Sequence, residues 1–285
     1  MEIGYFPGCS LHSTAQEFDL SVKAVCDVLG VHLSEIPDWN CCGASAAHET
    51  SEELGFALPY LDLVKAETAK LETVLSPCPA CFSHLAETHG KVVSDQTFGE
   101  RLKTVTETQG YEGSIINRHV LDYFMDDVGL DTIKEKVKKP LEGLKVACYY
   151  GCLTRLPGVN LDSVEHPEMM DKIVEALGAE VVNWTHKTEC CGASLSITRT
   201  EIALRLGREI LDAAQRAGAD CVAVVCPLCQ SNLDVRQAGI NSKYKTSFSL
   251  PIVYLTQLMG VAFGVPKSKL GFEKHVVAPD VLKKY

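Results

Sequence analysis

The 285-residue chain is long enough for one large core or two ordinary domains, and its 46% hydrophobic and 22% charged residues are typical of a globular protein. A net charge of −10 argues against nucleic acid as a partner, since phosphate binding requires clustered Lys and Arg. No apolar run is long enough for a transmembrane helix, so direct membrane insertion is not expected.

The first half of the chain predicts an alternation of strands and helices. Short β-branched or aromatic runs suit strands, whereas apolar residues at intervals of three and four suit amphipathic helices. Gly30 follows the first long helical run and is a typical helix stop signal. In chain order, the predicted elements are a strand over 2–6, a helix over 16–29, an extended segment over 31–37, an amphipathic helix carrying Leu54, Leu58, Leu61 and Val64, and a strand over 73–75.

The second half repeats this order, and Gly178 again follows a helical run. Strands that alternate with helices favour parallel sheets, so we expect an α/β fold of two Rossmann-like repeats related by a pseudo-twofold axis. The boundary is predicted after a Lys-rich helix over 132–139, which gives domains 1–143 and 144–285. The predicted elements are a strand over 145–149, a helix over 167–177, an extended segment over 179–184, an amphipathic helix carrying Ile202, Leu206 and Ile210, and a strand over 221–225.

Cysteine is the unusual component, with thirteen residues in the chain. Ten of them fall in two copies of one pattern, C-x31-CC-x35-C-x2-C and C-x37-CC-x34-C-x2-C. In both copies glycine precedes the first cysteine and follows the Cys-Cys pair, and the last two cysteines enclose a proline. Three elements that recur in the same order at near-constant spacing indicate a duplicated unit. The ten cysteines are Cys9, Cys41, Cys42, Cys78 and Cys81 in the first copy and Cys152, Cys190, Cys191, Cys226 and Cys229 in the second.

A metal centre is the chemistry that this pattern predicts. The N-terminus has the composition of a strand rather than an export signal, so we expect the cytoplasm, where many cysteines indicate metal rather than disulfides. Thiolates are soft, anionic ligands that stay with iron through a redox change. The two cysteines of C-x2-C can turn toward one centre, whereas the adjacent Cys41 and Cys42 can reach two atoms of a large cluster if they lie at a strand-to-helix turn.

Zinc and a redox dithiol are the alternatives for a C-x2-C sequence. Tetrahedral zinc takes four ligands, whereas each copy offers five cysteines. A thioredoxin-like dithiol gives no role to the other three. His12 and His84 each follow a cysteine of the pattern by three residues, and either can lie near such a centre or serve as a surface hydrogen-bonding residue.

The remaining three cysteines are expected not to bind metal. A duplicated centre that keeps its chemistry in both halves does not need a ligand that only one half supplies. When the two copies are aligned, the counterparts of Cys26, Cys148 and Cys221 are Met169, Tyr5 and Thr73.

The double pattern resembles the twice-repeated cysteine-rich (CCG) domain family, and within it the B subunits of heterodisulfide reductases. The resemblance covers nearly the whole chain and depends on the ten cysteines of the two copies. It implies two noncubane [4Fe-4S] clusters, one bound by Cys9, Cys41, Cys42, Cys78 and Cys81 and the other by Cys152, Cys190, Cys191, Cys226 and Cys229.

The resemblance also implies a function. The family substrate is a disulfide of the coenzyme M–coenzyme B type, reduced to two thiols by two one-electron steps. Its electrons come from a ferredoxin-like iron–sulfur subunit, which receives them from a flavoprotein subunit. Because that disulfide is anionic, we expect a locally basic rim where the two clusters face each other, with Arg155 and Arg199 as candidate substrate-binding residues.

Two other functions stay open on the sequence. Related iron–sulfur subunits of thiol:fumarate reductase and of succinate, lactate or glycolate dehydrogenase systems suggest an electron-transfer subunit without catalysis of its own. A zinc-stabilised interaction module is the other alternative, and it predicts a colourless protein. We expect the catalytic subunit of a disulfide reductase complex, because the sequence shows no additional ferredoxin motif.

Overall fold

Two parallel sheets form the framework of the protein. A computed structural model describes residues 2–44 and 47–285. In chain order, the strands are β1 (Glu2–Tyr5), β2 (His32–Glu35), β3 (Thr73–Ser76), β4 (Ile116–His119), β5 (Lys145–Cys148), β6 (Glu180–Val181), β7 (Cys221–Val224) and β8 (Ile252–Tyr254). The strand orders are β2-β1-β3-β4 and β6-β5-β7-β8, and all pairings between these strands are parallel. The structure confirms an α/β fold with two matching parallel sheets.

Helices connect successive strands, as parallel pairing requires. In chain order, they are α1 (Gly8–His12), α2 (Gln16–Leu29), α3 (Ala47–Thr50), α4 (Glu52–Thr68), α5 (Pro79–Ser94), α6 (Gln96–Thr106), α7 (Val120–Asp122), α8 (Leu130–Lys136), α9 (Met169–Ala176), α10 (Thr200–Arg216), α11 (Pro227–Val235), α12 (Gln237–Tyr244) and α13 (Leu255–Ala262). A π-helical turn at Tyr123–Val128 joins α7 to α8. Single 3₁₀ turns lie at Leu153–Arg155, Ala193–Leu195, Lys267–Lys269, Phe272–Lys274 and Asp280–Lys284.

Most predicted elements agree with the observed ones to within a few residues. The helix predicted over 16–29 is α2, and Gly30 ends it in the left-handed conformation at φ 74°. Of the extended segment predicted over 179–184, only β6 forms a strand, and it pairs with β5. Beyond β6, the indole Nε1 of Trp184 donates to the carbonyl oxygen of Cys148 at 3.1 Å, where a longer strand would place a backbone amide.

The buried face of α4 differs from the predicted one. Leu54 is 39% exposed, and Leu58 and Leu61 are only half-buried. The reason is that α6 covers a different side of the helix. There Phe98 of α6 packs edge-to-face against the buried Phe56 of α4, with ring centroids 5.2 Å apart. Helical periodicity predicted the helix correctly but assigned its contact face without knowledge of α6.

Strand order determines where a binding site can form. In a parallel sheet the carboxyl ends of the strands lie along one edge. β1 and β3 are neighbours, although β2 separates them in the sequence, so the chain leaves their ends in opposite directions. The same is true of β5 and β7. Ligand sites in open α/β sheets favour the crevice at such a switch point.

The two halves pack against each other through helices that flank the sheets. α2 of the first half lies against α13 of the second, and α9 of the second half lies against α7 and α8 of the first. The rings of Phe18 and Tyr254 stack across this interface, with centroids 4.1 Å apart and planes 4° from parallel. Nearby, the buried hydroxyls of Ser21 and Thr256 share a hydrogen bond of 2.7 Å. The packing of these helices across the interface holds the two sheets against each other.

Candidate metal centre

Three separate segments bring cysteines to the carboxyl edge of each sheet. In the first half Cys9 lies in α1 directly after β1, the Cys-Cys pair follows β2, and Cys78 and Cys81 open α5 after β3. The second half repeats this placement after β5, β6 and β7. We call the five cysteines of each half the first and the second cysteine group. They are Cys9, Cys41, Cys42, Cys78 and Cys81, and Cys152, Cys190, Cys191, Cys226 and Cys229.

The thiols of the first cysteine group lie in contact with one another. The Sγ atoms of Cys42 and Cys81 are 3.3 Å apart, and those of Cys41 and Cys9 are 3.8 Å apart. Further interactions join Cys41 to Cys42 and Cys78 to Cys81. All five sulfur atoms therefore belong to one connected set, as the sequence pattern predicts.

The second cysteine group repeats most of these connections, although its adjacent pair, Cys190 and Cys191, interacts through charge rather than a hydrogen bond. Cys191 and Cys229 have Sγ atoms 3.6 Å apart, which matches the closest pair of the first group. Hydrogen bonds also join Cys152 to Cys190 and Cys226 to Cys229. Both groups combine a buried floor with a more accessible mouth, since Cys191 and Cys229 are buried while Cys152 and Cys190 are exposed.

Hydrogen bonds between the thiols lower the pKa of two members in each half, Cys42 and Cys78 in the first and Cys190 and Cys191 in the second. The bond with Cys41, followed by that with Cys81, lowers the pKa of Cys42 to about 5. In the second half, the bond with Cys152 lowers the pKa of Cys190 to about 6. A thiolate is the form of cysteine that binds metal, so both groups favour ligation.

The turn after each Cys-Cys pair directs backbone amides at sulfur. The amide of Gly192 donates to Sγ of Cys190 at 3.4 Å. Fixed amide dipoles stabilise negative charge, which a thiolate-bound iron–sulfur centre carries. Each half uses the amides two residues beyond its paired cysteines, namely Gly43 and Ala44 in the first half and Gly192 and Ala193 in the second.

Glycine is required in both of these turns for two reasons. Gly43 and Gly192 have φ values of +78° and +73°, which residues other than glycine rarely adopt. A Cβ atom on Gly43 would also lie 2.9 Å from Cδ1 of Leu58 in α4. The same distance would separate a Cβ on Gly192 from Cδ1 of Leu206 in α10. The long helix of each half thus presses a leucine onto its Cys-Cys-Gly turn.

The donor set of each group fits an iron–sulfur cluster. All thirteen cysteines are free thiols, and each group supplies five sulfur atoms. The backbone also approaches the sulfur closely, because a Cβ on Gly8 would lie 2.8 Å from Sγ of Cys81. Five sulfur atoms exceed the four ligands of a tetrahedral zinc ion and suit a centre with several metal atoms.

The other three cysteines lie away from both groups. Cys26 in α2, Cys148 in β5 and Cys221 in β7 are fully buried in the hydrophobic core. Burial raises the pKa of Cys26 and of Cys221 to about 12 and that of Cys148 well above its usual range. These thiols stay protonated and apolar, which is the behaviour of structural cysteine.

The two arginines predicted as substrate ligands are both exposed. Arg155 ends the 3₁₀ turn that follows Cys152, and Arg199 lies directly before α10 in the segment after Cys191. Neither side chain forms a hydrogen bond or an ion pair within the part of the chain that the structure describes. Both charges are therefore free to meet an anion, and their role in a basic rim stays a prediction.

The two histidines near the pattern have different surroundings. His12 pairs with Glu35 at 3.3 Å on the surface and contacts the Trp39 ring, which fits a hydrogen-bonding residue. His84 shares a hydrogen bond of 2.8 Å with His48, in the helix that follows the Cys-Cys-Gly turn. Burial, and then the neighbouring His48, lowers the pKa of His84. The pair ties α3 to the helix that carries Cys81.

Three aromatic residues beside the cysteine groups were not predicted from the sequence. Tyr149 follows β5, and its hydroxyl donates to the carbonyl oxygen of Glu189 at 2.6 Å. His119 ends β4 and shares a hydrogen bond of 3.0 Å with the carbonyl oxygen of Pro77, while burial lowers its pKa to about 3. Tyr254 ends β8. The available signal was position, because all three stand at the ends of strands, where site residues gather.

Burial, and then the charges of Glu17, Cys226, Cys78 and Cys229, raises the pKa of Tyr254 well above its usual range. The phenol therefore lies within electrostatic reach of cysteines from both groups and keeps its proton. A cleft of about 520 Å³, lined by Glu165, Glu168, Asn183 and Lys187 among others, contains none of the ten cysteines.

Two regions of the chain match the family model described as a cysteine-rich domain (CCG). They are residues 3–86 and 146–234, and together they contain both cysteine groups. Tyr254 lies outside the matched regions. Among solved structures, a hypothetical protein from Helicobacter pylori superposes with a TM-score of 0.75 at 12% identity. The match covers 97% of this chain but about half (52%) of that protein, and it indicates a shared fold.

Curated relatives match along almost their whole length. The 8-methylmenaquinol:fumarate reductase membrane anchor subunit of Wolinella succinogenes is 34% identical over 280 residues, which cover 97% of each chain. The B subunit of the ferredoxin:CoB-CoM heterodisulfide reductase of Methanosarcina mazei is 29% identical over 97% of this chain and 94% of its own. A protein of Archaeoglobus profundus, described as similar to the B subunit of heterodisulfide reductase, is 27% identical over 95% and 93%. No helix among the described residues is long and apolar enough to cross a membrane.

The division of the cysteines leads to a direct test. Replacement of Cys26, Cys148 or Cys221 by alanine should leave iron content and cluster spectra intact at a stability cost of about 1 kcal/mol, because these thiols only pack in the core. Replacement of Cys41 or Cys190 should remove or alter one cluster. Iron and sulfide analysis with electron paramagnetic resonance measures both effects. Cys148→Ala is the sharpest control, since a spectrum changed as by Cys152→Ala would show that the two groups are not equivalent.

Proposed function

The chain belongs to the family of proteins that carry the cysteine-rich CCG domain, and on this basis we propose that it is the catalytic iron–sulfur subunit of a heterodisulfide reductase-like complex. Its reaction is the reduction of a disulfide, RSSR′, with two electrons and two protons to RSH and R′SH. We take the coenzyme M–coenzyme B type of disulfide as the substrate, because the Methanosarcina relative is named for it.

The observation that carries this proposal is the occurrence of two equivalent cysteine groups in one chain. Cleavage of a disulfide needs two electrons, whereas an iron–sulfur centre exchanges them one at a time. Two one-electron centres beside one substrate therefore match the chemistry. Tyr254 supports a common space between them, because it pairs with Val224, two residues before Cys226, while its ring stacks on Phe18 of the first half.

We propose that each cysteine group holds one noncubane [4Fe-4S] cluster. When bound, such clusters supply single electrons and iron atoms that can hold a sulfur ligand. The chain contributes five thiolates to each, together with the amides of the Cys-Cys-Gly turns that offset negative charge. The buried floor, formed in the second half by Cys191 and Cys229, keeps water from one side of the centre.

The exposed arginines complete the proposed substrate site. Arg155 and Arg199 both follow cysteines of the second group in the chain, and we propose that they line the accessible side of that group. An anionic disulfide would lose little hydration there and gain two charge-assisted hydrogen bonds. The anionic end of the substrate would then lie on the side of the second half.

Partner subunits are part of the proposal. The named relatives are subunits of reductases, so a complex is expected for this chain too. We propose a ferredoxin-like iron–sulfur subunit as the direct electron donor and a flavoprotein subunit that reduces the donor in turn. A cytoplasmic location stays a prediction from the sequence.

A second candidate function is supported by a specific relative. The Wolinella protein, at 34% identity, belongs by name to a methylmenaquinol:fumarate reductase rather than to a disulfide reductase. In that case the same two centres would pass electrons between partner subunits, and no disulfide would be cleaved. The two candidates share the cysteine groups and differ only in the final acceptor.

Thiol production separates the two candidates. The holoprotein, purified without oxygen and reduced with a one-electron donor, should release two thiols for every two electrons when a disulfide is added. Thiol quantitation and loss of the reduced spectrum measure the two quantities together. A protein that reduces one-electron dyes but yields no thiol would be the electron-transfer subunit. Cys221→Ala is the matched control, because its change lies in the core, and it should behave as the natural chain.

The two arginines provide a prediction about specificity. Arg155→Gln and Arg199→Gln should each raise the KM for an anionic disulfide about tenfold, which corresponds to ~1.4 kcal/mol, and leave the KM for a neutral disulfide nearly unchanged. Arg216→Gln is the control, since it removes a charge about 25 Å away at the other end of α10. Equal effects on anionic and neutral disulfides would contradict a substrate role.

A further inference from the structure

Tyr254 carries a buried hydroxyl that has no hydrogen-bond partner among residues 2–44 and 47–285. Its side chain is fully buried at the carboxyl end of β8. Tyrosine hydroxyls in protein interiors nearly always find a partner, because an unpaired one loses its hydration without compensation. The missing partner points to a group that the protein chain itself does not supply.

The ring of Tyr254 is held firmly in this orientation. It stacks on Phe18 of the other half at 4.1 Å, with the two planes 4° from parallel. Its backbone amide donates to Oε1 of Gln257 at 2.9 Å. The nearby Ser21–Thr256 hydrogen bond fixes α2 against α13. The hydroxyl therefore cannot turn toward solvent to find a water molecule.

The hydroxyl also lies in a particular place. Tyr254 pairs with Val224, two residues before Cys226, so β8 ends at the carboxyl edge that carries the second cysteine group. Burial, then Glu17, and then Cys226, Cys78 and Cys229 raise the pKa of this phenol. Its ring stacks on Phe18 of the first half, so the phenol also lies at the interface of the halves. An iron–sulfur cluster or a disulfide bound at this edge would offer a sulfur atom as the acceptor.

The duplicated architecture provides an internal comparison. His119 occupies the equivalent position, since it pairs with Ser76 in the first sheet as Tyr254 pairs with Val224 in the second. The Nε2 of His119 is engaged by the carbonyl oxygen of Pro77, and its Nδ1 accepts from the amide of Leu121. In the first half His119 therefore bonds to its own backbone, whereas in the second half the hydroxyl of Tyr254 has no partner among the described residues.

We propose that the Tyr254 hydroxyl donates a hydrogen bond to a sulfur atom held between the two cysteine groups. This inference depends on the proposed function, because it needs the clusters or their substrate as the acceptor. The acceptor is an electron-rich sulfur, which is either a sulfide of a cluster or a sulfur of the bound disulfide. The proton stays on the phenol oxygen, and the bond stabilises the negative charge that reduction adds to sulfur.

Tyr254→Phe in the anaerobically purified holoprotein tests this directly, because it removes only the hydroxyl. The control is Tyr123→Phe, a buried tyrosine whose pKa is raised by burial and then by Cys26 and Asp127, and by neither cysteine group. Iron content, midpoint potentials without disulfide, and the Kd for the disulfide are measured for both. A lower potential in Tyr254→Phe alone identifies a cluster sulfide as the acceptor. Unchanged potentials with an about tenfold higher Kd identify the substrate sulfur.

Full iron content with unchanged potentials and unchanged Kd would overturn the inference. If Tyr254→Phe loses iron, 3-fluorotyrosine placed at position 254 keeps the shape and strengthens the donor, and it should raise the potential or lower the Kd. No change with that residue would also overturn the inference. The potentials need no disulfide turnover, so an effect of Tyr254 on them stands even if disulfide reduction fails. If the unsubstituted protein, purified without oxygen, contains no iron, the proposed function itself is refuted.

Discussion

Parallel strand pairing is the constraint on which the rest of the structure depends. It forces every strand of a sheet to end on the same edge, and it forces the chain to return through a helix before the next strand. Cysteines more than thirty residues apart in sequence therefore meet without any special loop. In each half one cysteine follows the first strand, two follow the second, and two open the helix after the third. The spacing of the pattern is thus the spacing of a strand–helix unit.

The Cys-Cys-Gly turn converts this convergence into a site with a defined charge. The left-handed glycines Gly43 and Gly192 allow backbone amides to point at sulfur, and a leucine of the following long helix closes over each of them. The amides favour thiolate over thiol, as does hydrogen bonding from neighbouring cysteines. Duplication then provides two such sites, and the packing of flanking helices across the interface holds the two halves together. The halves differ at the end of the last strand, where the first half has His119 and the second has Tyr254.

Much of this was predictable from the sequence. There are physical reasons why the remainder could not be predicted. The repeat, the parallel α/β fold and the convergence of each cysteine group follow from spacing and periodicity, which are local properties. The role of Trp184, the buried face of α4 and the packing of α2 on α13 depend on contacts between elements distant in sequence. Tyr254 illustrates the limit, because its significance comes from a missing partner, and no sequence pattern encodes one.

The central claim is that ten cysteines form two equivalent multi-iron centres, and anomalous diffraction at the iron absorption edge tests it most directly. Crystals of the anaerobically purified protein should show two groups of iron atoms, one at the carboxyl edge of each sheet. Each group should be enclosed by five cysteine sulfur atoms, with Cys26, Cys148 and Cys221 remote from the iron. A single zinc ion on each C-x2-C sequence, or iron in only one half, would contradict the account.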